Sequence, residues 1–278
     1  MKRQQFLQHR LQTLAALGDA VGAMRSLSAH HFRRAREALT AARQYRAEMG
    51  TVIAEIGIQQ PLHIGVPAGL LVIASDLGLC SDYNAKVSQL AVTEAKRHAA
   101  QTIYSVGRRA RSALANNALV PFRQYNAPAS LEGLSQLLLG LAQDVLDDYL
   151  AGRIGSLHVV SAGFEGIGHF EPLSAQVLPI ESVTGTTPLR RSPYVDSGHL
   201  TAVAVREFLY ITLYEMFLDA LAAEHGMRLM ATESALDWLE STATTTSRRL
   251  SSARSEAATQ ELLDIVAGRR QRLQSETR

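Results

Sequence analysis

Two long stretches free of proline frame a segment in which short apolar runs alternate with helical periodicity. In the first, residues 2–57, apolar or small side chains recur at Met24, Leu27, His31, Ala35, Ala38, Ala42, Tyr45, Met49, Val52 and Ile56. The steps alternate between three and four, the heptad rhythm of a coiled-coil seam. Leu7, Leu11, Leu14 and Val21 extend it toward the N-terminus, with a slip predicted near Gly18 in the manner of a stutter. The run "IQQPLHIGVPAG" then ends the helix with two prolines and two glycines. From Leu200 to about Gln274 proline is again absent, and a second seam reads Leu229, Thr232, Leu236, Leu239, Ala243, Thr246, Leu250, Ala253 and Ala257. The stretch "STATTTS" dilutes it with small and polar residues. Roughly 75 residues of helix would be about 110 Å long, more than a small domain can cover, so the N-terminal helix is the predicted partner. Two helices broken near Gly226 are the alternative.

Between the helices, residues 68–198 alternate strand and helix signals. "LLVIAS" reads as a buried strand, Asp82 to Ala100 as a helix, "TIYSV" as a second strand and "GRRARSALAN" as a short helix. A strand is expected near 118–124. An amphipathic helix follows with Ser130 as its N-cap, then "SLHVVSAGF" and "PLSAQVLPI" as a strand hairpin. The pattern predicts a small, mostly parallel sheet flanked by helices. A polar linker, "ESVTGTTPLRRSPYVDSGH", leads into the last helix. The fold class is thus α/β plus a long antiparallel helical coiled coil, divided at residues 1–57, 68–198 and 199–276.

Composition narrows the function classes. A net charge of +2 does not suit a general nucleic-acid binder. Lys2, Lys86 and Lys96 are the only lysines among 28 basic residues, and arginines cluster at Arg33, Arg34 and Arg36, at Arg108, Arg109 and Arg111, and at Arg269, Arg270 and Arg272. A solvated helix face is the plain reading of each cluster; docking on an acidic surface or anionic lipid is the sharper one. Cys80 is the single cysteine, which excludes an internal disulfide and a cysteine-rich metal site. No apolar run has the length of a membrane span or of a signal-peptide core, so the chain reads as soluble, of the cytoplasm or a matrix-like compartment.

Chemistry is sparse. No phosphate-loop motif is present, and the glycines of "GFEGIGHF" precede no helix. His30 and His31 are adjacent and so do not share a helix face. Asp144, Asp147 and Asp148 fall on one helix and read as a solvated face rather than an acid/base pair. The stretch "LLVIASDLGLCSDYN" has the strand–turn–helix order of many active sites, but Cys80 lacks a local histidine and reads as a small buried hydrophobe. No catalytic residue, cofactor site or metal site is assigned.

Two motifs carry a resemblance. Ser75, Asp76, Gly78, Leu79, Cys80 and Asn84 match S-D-x-G-L-C followed by a turn and Asn. Arg254, Thr259, Gln260, Glu261, Leu262, Ile265, Val266 and Gly268 match A-R-x-x-x-I-T-Q-E-L-x-E-I-V-x-G. Weaker matches surround Met24 and Arg228. In these stretches the chain resembles the gamma subunit of rotary F-type ATP synthases, whose terminal helices form an antiparallel coiled coil around an inserted Rossmann-like domain. Departures fall where Gly22 and His31 replace lysines, Leu77 an arginine, Ser81 and Asp82 paired glycines, and "MATESALDW" a Met-Asp-Asn-Ala-like run. They fit a divergent member, of an atypical second operon and with sodium or proton coupling left to the membrane ring.

The resemblance implies a central rotor shaft without catalytic residues of its own. It implies α and β subunits (an α3β3 hexamer), an epsilon subunit and a membrane c-ring as partners, at the cytoplasmic face of a bacterial inner membrane. Neither nucleic acid nor a membrane span of its own is implied. Met24, Arg228, Arg254, Thr259, Gln260, Glu261, Asp76 and Cys80 are then the candidates for subunit contact, with Met24 and Arg228 expected near one another. A coiled-coil scaffold with an inserted α/β module, and an α/β enzyme using Cys80, are the rival readings.

Overall fold

The computed structural model describes residues 2–56, 63, 65–128, 130–180 and 197–276. The elements are α1 (Lys2–Ile56), β1 (Gly69–Ile73), α2 (Tyr83–Arg97), β2 (Thr102–Val106), α3 (Arg108–Asn116), β3 (Arg123–Tyr125), α4 (Leu131–Leu150), β4 (Leu157–Gly166), β5 (His169–Leu178) and α5 (Ser197–Glu276). Helix α5 runs without a break through Gly226, which removes the two-helix alternative. The end of the first helix beyond Ile56 and the polar linker lie outside the described residues, apart from the linker's last three, which begin α5. By packing, the chain divides into two compact units: residues 1–26 with 232–278, and residues 27–231.

In the first unit the two helices run antiparallel. Arg3 pairs with Glu256 at 3.3 Å, Gln4 Nε2 donates to the Ala253 carbonyl at 3.0 Å, and Arg25 pairs with Glu233 at 3.0 Å. These pairs are exposed and each is worth under about 1 kcal/mol. Burial of Leu7 against Leu250 and Ala253 contributes more. In α5 the expected seam holds at Thr232, Leu239, Thr246, Leu250 and Ala253, while Ala257 is exposed.

The α1 seam differs from expectation. Leu27, Tyr45 and Val52 are exposed, whereas Ser28, Leu39 and Ile53 are buried. The inward positions follow an unbroken heptad: Leu7, Leu14, Val21, Ser28, Ala35, Ala42, Met49 and Ile56, interleaved with Leu11, Gly18, Phe32, Leu39 and Ile53. No slip occurs at Gly18. Ala35, Ala42, Met49 and Ile56 are inward as expected, whereas the interleaved row lies one residue later than expected, at Phe32, Leu39 and Ile53 in place of His31, Ala38 and Val52.

In the second unit a five-stranded sheet has the order β3-β2-β1-β4-β5, parallel except for the β4–β5 hairpin. Strand β1 is buried on both faces, which explains its continuous apolar run. Leu71 and Ile73 face the cluster that includes α4 residues Leu138 and Leu141 and α5 residues Leu213 and Phe217. Leu70 and Val72 face α2 and α3 through Val87, Ala91 and Ala110. Strand β3 is shorter than expected, and α2 stops at Arg97. Ser130 caps α4 as predicted, accepting from Gly133 N at 3.2 Å. Within this unit α1 and α5 are again antiparallel, with Arg43 bonded to Asp219 at 3.0 Å and Arg46 to Glu215.

The aspartates of α4 need correction. Asp147 is exposed and Asp144 partly so, but Asp148 is fully buried. It accepts from the Tyr104 hydroxyl and from Arg153 Nε at 2.6 Å. A buried carboxylate is tolerable because those donors replace water.

Candidate functional site

The turn between β1 and α2 brings the first motif together. Ser75 N donates to Asn84 Oδ1 at 3.1 Å, Ser75 Oγ to the Leu77 carbonyl at 2.6 Å, and Asn84 Nδ2 to Cys80 Sγ at 3.0 Å. The motif's Ser and Asn thus close the loop on itself. Asp76 points the other way. Its Oδ1 accepts from Arg108 N at 2.8 Å and from Ala127 N at 3.3 Å. The cap position of α3 is Gly107, which has no side chain to offer, so Asp76 caps that helix from another loop. Gly107 is required there, since its φ is +92° and a Cβ would lie 2.2 Å from the Ala74 carbonyl oxygen.

Helix α5 covers this turn. Arg228 is 2% exposed; its Nε donates to the Gly78 carbonyl at 3.2 Å and its Nη2 to Glu224 at 2.6 Å. Nη1 lies 3.3 Å from His225 Nδ1. Arginine has no acceptor, so His225 Nδ1 must accept and its ring is neutral. Burial first, then Arg228 and His31, push the His225 pKa down to about 3. The His31 ring stacks on it at 5.1 Å, and His31 is lowered as well, mainly by burial. Burial raises Glu224, against the pull of Arg228. One turn further back, the Tyr83 hydroxyl donates to the Ala220 carbonyl at 3.4 Å.

This arrangement suits holding rather than catalysis. Burial pushes the Cys80 thiol up, away from the thiolate a nucleophile needs, and among the described residues its hydrogen-bond partners are Ser75, Leu77 and Asn84, with no histidine. Where an open α/β sheet binds nucleotides, at the carboxyl ends of its strands, Ile73, Ala74 and Val106 face Phe217, Leu221 and Glu224 of α5. The remaining cleft is about 10 Å³, space for one water.

The other candidates belong to the first unit. Met24 is half-buried in the first unit. Arg254, Thr259, Gln260 and Glu261 are exposed on α5, where Thr259 Oγ bonds the Ser255 carbonyl and Gln260 bonds Asp264. Beside them Leu262, Leu263, Ile265 and Val266 are 53–64% exposed, an apolar stretch without cover among the described residues. Sequence reasoning did not single out Glu224 or Tyr83, and it read Asp148 as solvated. The spacing of Glu224 and Arg228, four apart on a helix, was the one available signal for the first.

A family model described as ATP synthase matches residues 4–270. The ATP synthase gamma chain of Desulforamulus reducens is 26% identical, the alignment covering 94% of this chain and 96% of that one. That of Geobacter metallireducens is 27% identical, covering 88% and 90%. Among solved structures, a chain of the Euglena gracilis mitochondrial ATP synthase (OSCP/F1/c-ring) superposes with a TM-score of 0.64 at 14% identity, covering 95% of this chain and 92% of that one. A chain of the Tetrahymena thermophila mitochondrial ATP synthase central stalk/c-ring gives 0.59 at 15% identity, covering 78% and 99%. At these identities the structures speak to fold.

Proposed function

This chain belongs to the ATP synthase gamma family, and from that premise we propose that it is the central rotor shaft of an F-type ATP synthase. The observation that carries the reading is the match across residues 4–270, which spans both long helices and the α/β insertion together. A scaffold that merely shared a coiled coil would not reproduce both motifs together with the insertion between the two long helices. The partners are the α and β subunits of the α3β3 hexamer, the epsilon subunit and the c-ring.

Ion flow turns the ring and this chain with it, and the asymmetric shaft drives each β site through states of differing nucleotide affinity. Coupling of this kind is differential contact biasing a multistate equilibrium. The chain supplies no catalytic group, and the complex lies at the cytoplasmic face of a bacterial inner membrane. No helix among the described residues is long and apolar enough to cross a membrane. Residues 1–57 and 199–276 form the shaft and 68–198 the part carried on the ring. Arg254, Thr259, Gln260 and Glu261, with the apolar residues that follow, contact the hexamer; their exposure in α5 supports this. Met24 is a further contact, in the first unit. Asp76 belongs to the turn and adds to the contact surface only at its edge, while Arg228 and Cys80 act inside the chain.

The test is membranes carrying Arg254→Ala. Coupled ATP synthesis should fall while the subunit assembles and the complex purifies with α, β and epsilon. Unchanged synthesis, or a chain that purifies without those subunits, sinks the assignment.

A further inference from the structure

Residues Ala220, Glu224 and Arg228 stand four apart on α5 and so form one stripe along the helix. The stripe faces the β1–α2 turn and grips it at two points, Tyr83 hydroxyl to Ala220 carbonyl and Arg228 to Gly78 carbonyl. Arg228 also reaches the Leu77 carbonyl at 3.5 Å. Glu224 fixes the guanidinium between them. The same turn is bonded to α3 and to the loop before α4 through Asp76, and to the start of α2 through Asn84. The nine-residue loop between β1 and α2 therefore connects α2, α3 and the loop before α4 to α5.

The sheet and α5 also meet in apolar packing, through residues such as Leu209, Leu213 and Phe217. Apolar packing resists separation, but it is non-directional and resists rolling weakly. A buried, charge-assisted hydrogen bond to a backbone carbonyl has a fixed direction. We propose that Arg228, held by Glu224, is the torsional lock that keys the α/β domain to α5, so that rotation of the domain turns the helix without slip. This rests on the rotor reading. Arg228 acts as a positioning residue through the Gly78 carbonyl and touches no reacting group.

The test uses the assembled complex, its hexamer fixed to a surface and a bead attached at Val120→Cys, a site 80% exposed on the loop before β3. Arg228→Met keeps the aliphatic length and removes the donors. ATP hydrolysis should stay near the parent rate while the angular variance of the bead during catalytic pauses rises about twofold, the result of losing one directional anchor. Arg228→Lys should fall between. Glu224→Gln, which keeps volume and one acceptor, should raise the variance by a smaller amount and serves if Arg228→Met fails to assemble. Unaltered variance in an assembled Arg228→Met complex, or in Glu224→Gln where that alone assembles, overturns the lock. A bead that never rotates with ATP overturns the rotor reading instead.

Discussion

Asp76 Oδ1 accepts from Arg108 N at 2.8 Å, a helix cap supplied from a loop 32 residues away. The same oxygen accepts from Ala127 N. Replacing Asp76 by alanine leaves two backbone donors without their acceptor, in a turn only 23% exposed at this side chain. The expected loss is about 2 kcal/mol. Asp76→Asn keeps an acceptor oxygen and should lose less than half as much. Urea unfolding of the isolated chain measures both; equal losses would show that charge rather than capping matters.

The turn carries residues in an unfavourable backbone region. Leu79 and Ser81 have φ of 55° and 51°, where a side chain costs about 1–2 kcal/mol. Ser81 stands at one of the paired glycines of the family motif. Ser81→Gly should therefore stabilise the chain by about 0.5–1 kcal/mol, the relief being partly offset by the greater freedom of glycine in the unfolded chain. Asp82 has φ −87° and pairs with Lys86 at 2.8 Å, so Asp82→Gly should give no gain. Thermal unfolding of the two variants side by side separates local strain from a general preference for glycine.

His225 makes stability fall with acid. Its folded pKa of about 3 lies below the ordinary histidine value of 6.5, so the unfolded chain binds the proton more readily. The contribution is complete above pH 6.5 and is lost as pH falls toward 3. Between pH 7 and pH 5 it amounts to about 2 kcal/mol. The lowered pKa of His31 acts in the same direction, while the raised pKa of Glu224 opposes both. His225→Gln retains a hydrogen-bond acceptor for Arg228 and removes the titration. Its unfolding free energy should be flatter from pH 7 to pH 5 than the parent's; an identical slope would place the effect elsewhere.

What the sequence made legible was local or repetitive. The strand–turn–helix order of residues 70–84, the Ser130 cap and the β4–β5 hairpin all depend on neighbours within a few residues, and each is found. Cys80 as a buried small residue was legible from the absence of partners. Arg228 was not, because the carbonyl that makes its burial tolerable is 150 residues away. Asp148 read as solvated for the same reason, its Tyr104 partner lying 44 residues away on β2. In α1 one row of the heptad was legible and the interleaved row was not: Arg25 and Arg46 hold positions of that second row yet are exposed and pair with Glu233 and Glu215, which hides the rhythm. Of the contact candidates, Arg254, Thr259, Gln260 and Glu261 are exposed and Arg228 is buried, a difference that side-chain chemistry alone did not reveal.

The diluted seam of the first unit gives a last prediction. Thr246 is 4% exposed, near Leu250 on the buried face, and its hydroxyl donates only into its own helix, to the Thr242 carbonyl at 2.8 Å. That carbonyl keeps its backbone hydrogen bond without the hydroxyl, and such back-bonding slightly destabilises a helix. Thr246→Val exchanges the hydroxyl for a methyl of similar size in a buried position. The paired helices should gain about 0.5–1 kcal/mol, read as slower amide hydrogen exchange across residues 239–253. Faster exchange would mean that the hydroxyl has a partner of its own. If the loosened seam serves rotation, the same variant should also slow ATP-driven turning of the assembled complex, whereas a seam diluted without purpose would leave the rate unchanged.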